Sequence, residues 1–179
     1  MAEISSQMVK QLREETGAGI MDCKNALSES EGDFKKAKAW LDARGLRKAE
    51  KVTGREAKQG LIETYVHGGR IGAIIELSCE TDFVARTEDF QKLAKEIARQ
   101  VVGASPEYVS VEDIPAEVHE DKKSEFGDGI KKWYEQAVLL NQPYIVDGKQ
   151  TINDMITQAK AKLGENIVVR RFARYELGK

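Results

Sequence analysis

His67-Gly68-Gly69-Arg70 separates two β-rich runs, Leu61–Val66 and Ile71–Cys79. A tight turn between antiparallel strands demands positive φ, which Gly68 and Gly69 adopt at no steric cost, so the two runs are predicted to form a hairpin. Ile71, Ala73, Ile75, Leu77 and Cys79 alternate onto one face of it. A strongly amphipathic helix follows: Phe90, Leu93, Ala94, Ile97, Ala98 and Val101 recur at i, i+3, i+4 and i+7, and Thr87 is placed as its N-cap. The tail Ile167–Tyr175 has strand composition and is predicted to complete a small antiparallel sheet, leaving an edge open for pairing. Its alternation is uneven, because Arg170 would share a face with Val168 and Phe172.

Between strand and helix lies Glu80-Thr81-Asp82-Phe83-Val84-Ala85-Arg86. Asp82 and Phe83 fall outside the register of the helical stripe. Three readings are open: Asp82 caps a helix, Phe83 fills the core, or the acid and the ring together probe the surface of another molecule.

Residues 4 to 45 punctuate themselves as three short helices. Ser5 is placed to cap the first, with Ile4 and Val9 at the spacing of a hydrophobic staple. Ile4, Met8 and Leu12 mark one face, and Gly17 is placed to end it. The second starts near Gly19 with Ile20, Cys23 and Leu27 as its stripe. Gly32-Asp33 gives a turn and a cap, and Phe34, Ala37, Trp40 and Leu41 line the third helix, which Gly45 is placed to stop. Met21 lies roughly 100° around from Ile20. It is either peripheral core or an adaptable apolar contact for a partner, with Arg13 in a position to flank it.

The resulting division is a head over residues 1–45, a linker or frayed helix over 46–59, and an α+β body over 60–179. The body closes with a helix capped by Thr151, striped by Ile152, Met155, Ile156, Ala159 and Leu163, and ended at Gly164. Before it, Pro106 and Pro115 bound a loop, residues 117–123 read as a solvated helix face, and Ile130, Trp133, Tyr134 and Ala137 predict another amphipathic helix.

Lys+Arg 28 against Asp+Glu 30 gives a net charge of −2, which argues against a nucleic-acid binder. No apolar run approaches the ~18 residues of a membrane span. Residues 1–6 lack the basic and apolar regions of a signal peptide, so the expected location is the cytoplasm. Cys23 and Cys79 lie in no metal or redox spacing and are expected to be reduced, small apolar side chains. His67 and His119 are isolated. Gly17-Ala18-Gly19 and Gly68-Gly69 lack the Gly-Lys-Ser/Thr ending of a phosphate loop. No nucleophile or metal set is visible, so no catalytic residue, metal or cofactor is expected. Arg170, Arg171 and Arg174 are an alternative, phosphate-binding reading of the terminal strand.

Two long motifs then carry a resemblance. Val9-Lys10, Leu12-Arg13, Thr16-Gly17-Ala18-Gly19, Met21-Asp22-Cys23-Lys24 and Ala26-Leu27, followed by Gly32-Asp33, resemble the N-terminal signature of bacterial elongation factor Ts. Thr81-Asp82-Phe83-Val84-Ala85-Arg86 is similar to a second signature of that family, and Leu139-Leu140, Gln142-Pro143-Tyr144 and Leu163-Gly164-Glu165-Asn166-Ile167 continue the likeness. The family consists of guanine-nucleotide exchange factors for elongation factor Tu. The resemblance implies a head similar to ubiquitin-associated domains. It also implies that Thr81, Asp82, Phe83 and Val84 disturb the magnesium site of elongation factor Tu, Phe83 wedging between helices. Arg13, Ile20 and Met21 would dock the head. Ile20 stands where methionine is common in the family. Longer members carry a second core subdomain and a coiled-coil insertion, neither of which is evident here. A short member is expected to pair with itself as a homodimer through the terminal strand region, without the disulfide of some relatives.

Overall fold

A computed structural model describes residues 4–179; the leader-free reading of residues 1–3 lies outside them. The head holds α1 (Ser6–Thr16), α2 (Ile20–Glu29) and α3 (Phe34–Val52). The body holds β1 (Gln59–His67), β2 (Ile71–Cys79), α4 (Asp82–Ala85), α5 (Glu88–Ala104), α6 (Ala116–Phe126), α7 (Ile130–Ala137), α8 (Ile152–Leu163) and β3 (Val168–Glu176). This is the α+β class that the sequence predicts.

Helices begin where side chains can accept their free N–H groups. Ser5 Oγ accepts from Met8 N at 3.2 Å, Asp33 Oδ1 from Lys36 N at 3.0 Å, Thr87 Oγ1 from Phe90 N at 3.3 Å and Thr151 Oγ1 from Asp154 N at 3.1 Å. Leu12, Cys23, Ala26, Leu27, Ala37 and Leu41 make the head core, with Ile4, Met8, Val9, Phe34 and Trp40 around it. Two expectations are corrected here. Ile20 is not on the buried stripe of α2, which is Cys23, Ala26 and Leu27. Asp22 faces α3 through Arg44 and Lys48, and Ile20, two residues earlier, is turned roughly 200° from it. Nor does Gly45 end the third helix. Ala49 and Val52 extend the buried face of α3, and Gly45 sits where α8 crosses: a Cβ there would lie 3.6 Å from Ala161 Cβ.

The sheet order is β1-β2-β3, antiparallel throughout. Gly68 and Gly69 turn the hairpin at φ 56° and 68°. Between β2 and β3 the register passes from Glu76 opposite Arg171 to Leu77 opposite Val169, so Arg170 is left over as a bulge. That single extra residue puts Val169 and Phe172 on one face and accounts for the uneven alternation. The inner face, with Ala73, Ile75 and Leu77, is buried with the whole predicted stripe of α5, and Ile152, Ile156 and Ile167 close the same core. A smaller cluster, Ile114, Trp133, Ala137 and Val138, sits under α6 and α7.

The expected linker is half helix and half strap. Beyond the end of α3, Thr53 Oγ1 accepts from Lys160 Nζ at 3.2 Å, Arg55 O from Asn166 Nδ2 at 2.7 Å and Ala57 O from Arg170 Nη2 at 2.8 Å. The head is thereby fastened along α8 and the start of β3. Among the described residues no helix is long and apolar enough to cross a membrane.

Candidate functional site

Leaving β2, the chain makes a single helical turn before α5. Thr81 Oγ1 caps it, accepting from Val84 N at 3.4 Å. Ala85 turns inward and is buried, and Val84 packs against the main core. Phe83, about 200° around from Ala85, points out and is 79% exposed, more than any other large apolar side chain among the described residues. The reading of Phe83 as core filler is thus overturned. Asp82 is not the cap either: its carboxylate pairs with Arg86 Nη2 at 2.8 Å, one turn on.

This exposed turn is held at both ends. Behind it, Thr87 Oγ1 donates to Val84 O at 2.7 Å. Before it, Glu165 Oε2 accepts the N–H groups of Glu80 and Thr81, each at 3.0 Å, and Oε1 accepts the Thr81 hydroxyl at 2.5 Å. Glu80 Oε1 in turn accepts from Asn166 N at 2.6 Å and lies 3.7 Å from Arg55 Nη1. Below, Cys79 Sγ donates to Thr81 O at 3.1 Å. Burial, and then the nearby Glu165 carboxylate, pushes that thiol up to about 11, so it keeps the proton it donates. Cys23 and Cys79 are both free and buried, as expected.

The head offers a second exposed apolar pair, Ile20 at 56% and Met21 at 63%. Asp22 anchors their turn to α3, with Lys48 Nζ at 2.7 Å and Arg44 Nε at 3.2 Å. The Lys48 hydrogen bond holds the Asp22 carboxyl below the usual carboxylate range. Arg13 is exposed in the last turn of α1. The seven residues singled out from the sequence therefore fall into two groups, Thr81–Val84 on the body and Arg13, Ile20 and Met21 on the head. α8 supports both: its last turn packs against α3 at Gly45, and the turn after it carries Thr81.

Two residues escaped sequence reading, Glu165 and Arg55. Glu165 stood inside a family-like run, Gly164-Glu165-Asn166, but neither periodicity nor spacing tied it to Thr81. The arginines of β3 have partners within the chain. Arg170 holds Ala57 O, Arg171 Nε pairs with Glu76 at 2.7 Å, and Arg174 Nη1 pairs with Glu176 at 2.9 Å. Among the described residues no three His, Cys, Asp or Glu side chains converge as metal ligands would. On the sheet's outer face, Ile62, Val66, Ile74 and Tyr175 are exposed, and the register places them together.

A family model described as "Elongation factor TS" matches residues 42–128 and again 127–179. The elongation factor Ts of Coprothermobacter proteolyticus is 52% identical over 195 aligned residues, covering 98% of this chain and 99% of that protein. That of Fervidobacterium nodosum is 49% identical, with 98% and 99% covered, and that of Myxococcus xanthus 46%, with 99% and 90% covered. These relatives extend the match into the residues before 42, which the family model leaves out. On a full-length likeness of about half its residues, the chain belongs to the elongation factor Ts family.

Proposed function

We propose that this chain is a guanine-nucleotide exchange factor that binds the GDP form of elongation factor Tu and speeds GDP release, so that GTP can enter. The observation that carries this reading is Phe83, 79% exposed on a one-turn helix tied down on both sides. Magnesium bridges the nucleotide phosphates and offsets their charge. A ring driven between the helices beside that cradle, with Asp82 next to it, displaces the supports of the ion and raises the free energy of bound GDP. A thousandfold weakening of GDP corresponds to ~4 kcal/mol. A desolvated aromatic anchor, together with Ile20 and Met21 docked and flanked by Arg13, is of the right size to supply it. Linkage then makes entering nucleotide expel the factor. No bond is made or broken, so the cycle asks for no catalytic residue or cofactor. It runs in the cytoplasm, without contact to nucleic acid or membrane.

The test is release of fluorescent GDP from purified elongation factor Tu. Phe83→Ala should slow release while leaving the fold intact; release as fast as with the parent chain would sink the wedge.

The same reading includes a homodimer. An exposed apolar sheet face with Ile62, Val66, Ile74 and Tyr175 on one side suits a second copy, since a two-fold pair sets identical patches against each other. This shifts the expected contact from the edge of β3 to the face of the sheet. Sedimentation at several concentrations should give twice the chain mass for the parent and the chain mass for Ile74→Glu. A parent that stays monomeric at every concentration refutes the pairing.

A further inference from the structure

Glu80 and Glu165 exchange hydrogen bonds across two turns of chain that are far apart in sequence. Glu165 takes the N–H groups of Glu80 and Thr81 and the Thr81 hydroxyl, and Glu80 takes the N–H of Asn166. Satisfying the two N–H groups at the strand exit needs only Oε2 of Glu165. The second oxygen, Oε1, does something more. A threonine hydroxyl has one proton and turns freely. With that proton committed to Oε1 at 2.5 Å, the oxygen lone pair is left for Val84 N, 3.4 Å away. That contact caps α4, whose four residues are too few to hold a helix unaided.

We propose that Glu165 is a positioning residue for exchange: acting through the Thr81 hydroxyl, it fixes the axis of α4 and hence the direction in which Phe83 projects. This rests on the exchange reading above. Because Asn166 also fastens Arg55 O, the same turn ties the tooth to the strap that carries the head.

The test uses the full chain, elongation factor Tu and fluorescent GDP, with the maximal release rate read separately from the half-saturating concentration. Glu165→Gln keeps an oxygen for the two N–H groups but presents NH2 to the hydroxyl, which loses the acceptor that fixes its proton and is free to turn that proton toward Val84 N, weakening the cap. The maximal rate should fall about tenfold, as for a misplaced group outside the reacting centre, with the half-saturating concentration within about twofold of the parent. In a Phe83→Ala background the same substitution should cost nothing further. An unchanged maximal rate with Glu165→Gln, while Phe83→Ala slows release, overturns the positioning role and leaves the wedge standing. Equal losses in both backgrounds also overturn it, because Glu165 would then act other than through Phe83. If Phe83→Ala itself has no effect, the wedge falls and the positioning role with it. Should Glu165→Gln fail to fold, Glu165→Asp asks the same question, because it keeps the charge but shortens the reach to the Thr81 hydroxyl by one methylene: the maximal rate should fall, and a rate equal to the parent's overturns the proposal.

Discussion

The tooth at Thr81–Val84 and the head pair at Ile20 and Met21 both present bare apolar side chains, yet they are built differently. The tooth is cross-braced: its base is tied to Glu165, 84 residues away, and its far end to Thr87. The head pair rides on the first turn of an ordinary helix whose N-cap, Gly19, makes no side-chain hydrogen bond, and that turn meets α3 through the Asp22 ion pairs and the buried Cys23. A braced ring can push into a neighbour without folding back, whereas an adaptable methionine side chain suits grip. The difference predicts a division of labour, with the tooth setting how fast bound GDP leaves and the head setting how much factor is needed.

The largest effect should come from Phe83→Ala. Loss of a buried aromatic anchor costs on the order of 2–3 kcal/mol, roughly 30- to 150-fold in the maximal release rate. Because the ring is 79% exposed in the free chain, the melting temperature should hold. If the half-saturating concentration moves instead of the maximal rate, the division of labour is broken. Next, Ile20→Ala combined with Met21→Ala should cost about 1–2 kcal/mol, raising the half-saturating concentration about tenfold at an unchanged maximal rate. A fall in the maximal rate would make the head part of the wedge.

The smallest effect belongs to the Asp22 anchor. Its folded carboxyl titrates below the unfolded value of about 3.9, chiefly because Lys48 donates to it. Its stabilisation is therefore complete above that value and fades as pH falls through the lower, folded one. A part-exposed pair of this kind contributes about 0.5–1 kcal/mol. Trp40 lies in the head and Trp133 in the body, so fluorescence of a Trp133→Phe chain follows the head alone. Acidification below about pH 4 should loosen the head of the parent. Asp22→Asn should be less stable at neutral pH and lose that part of the acid dependence; an unaltered profile would show that the anchor carries nothing.

Much of this architecture was legible because it is local. The α5 stripe, the Gly68-Gly69 hairpin and the caps at Ser5, Asp33, Thr87 and Thr151 each involve partners within a few residues, and all appear as read. The misreadings have one cause. Gly45 looks like a stop until α8 is laid across it, Ile20 looks buried until Asp22 commits the first turn of α2 to α3, and Arg170 disturbs its strand until β2 shows it to be a bulge. Phe83 stood out as a candidate, but the one-turn helix that carries it and the carboxylate that braces it did not.

Sequence alone settled the class, the caps at Ser5, Asp33, Thr87 and Thr151, the hairpin and, through long matching motifs, the family, since periodicity and caps act over one or two turns of chain. Tertiary structure decided that Phe83 faces water, that α3 runs on across α8, and that Glu165 grips Thr81. A hydrogen bond between residues 84 positions apart leaves no periodic trace, because it arises only after the core between α5, α8 and the sheet has brought the two turns together.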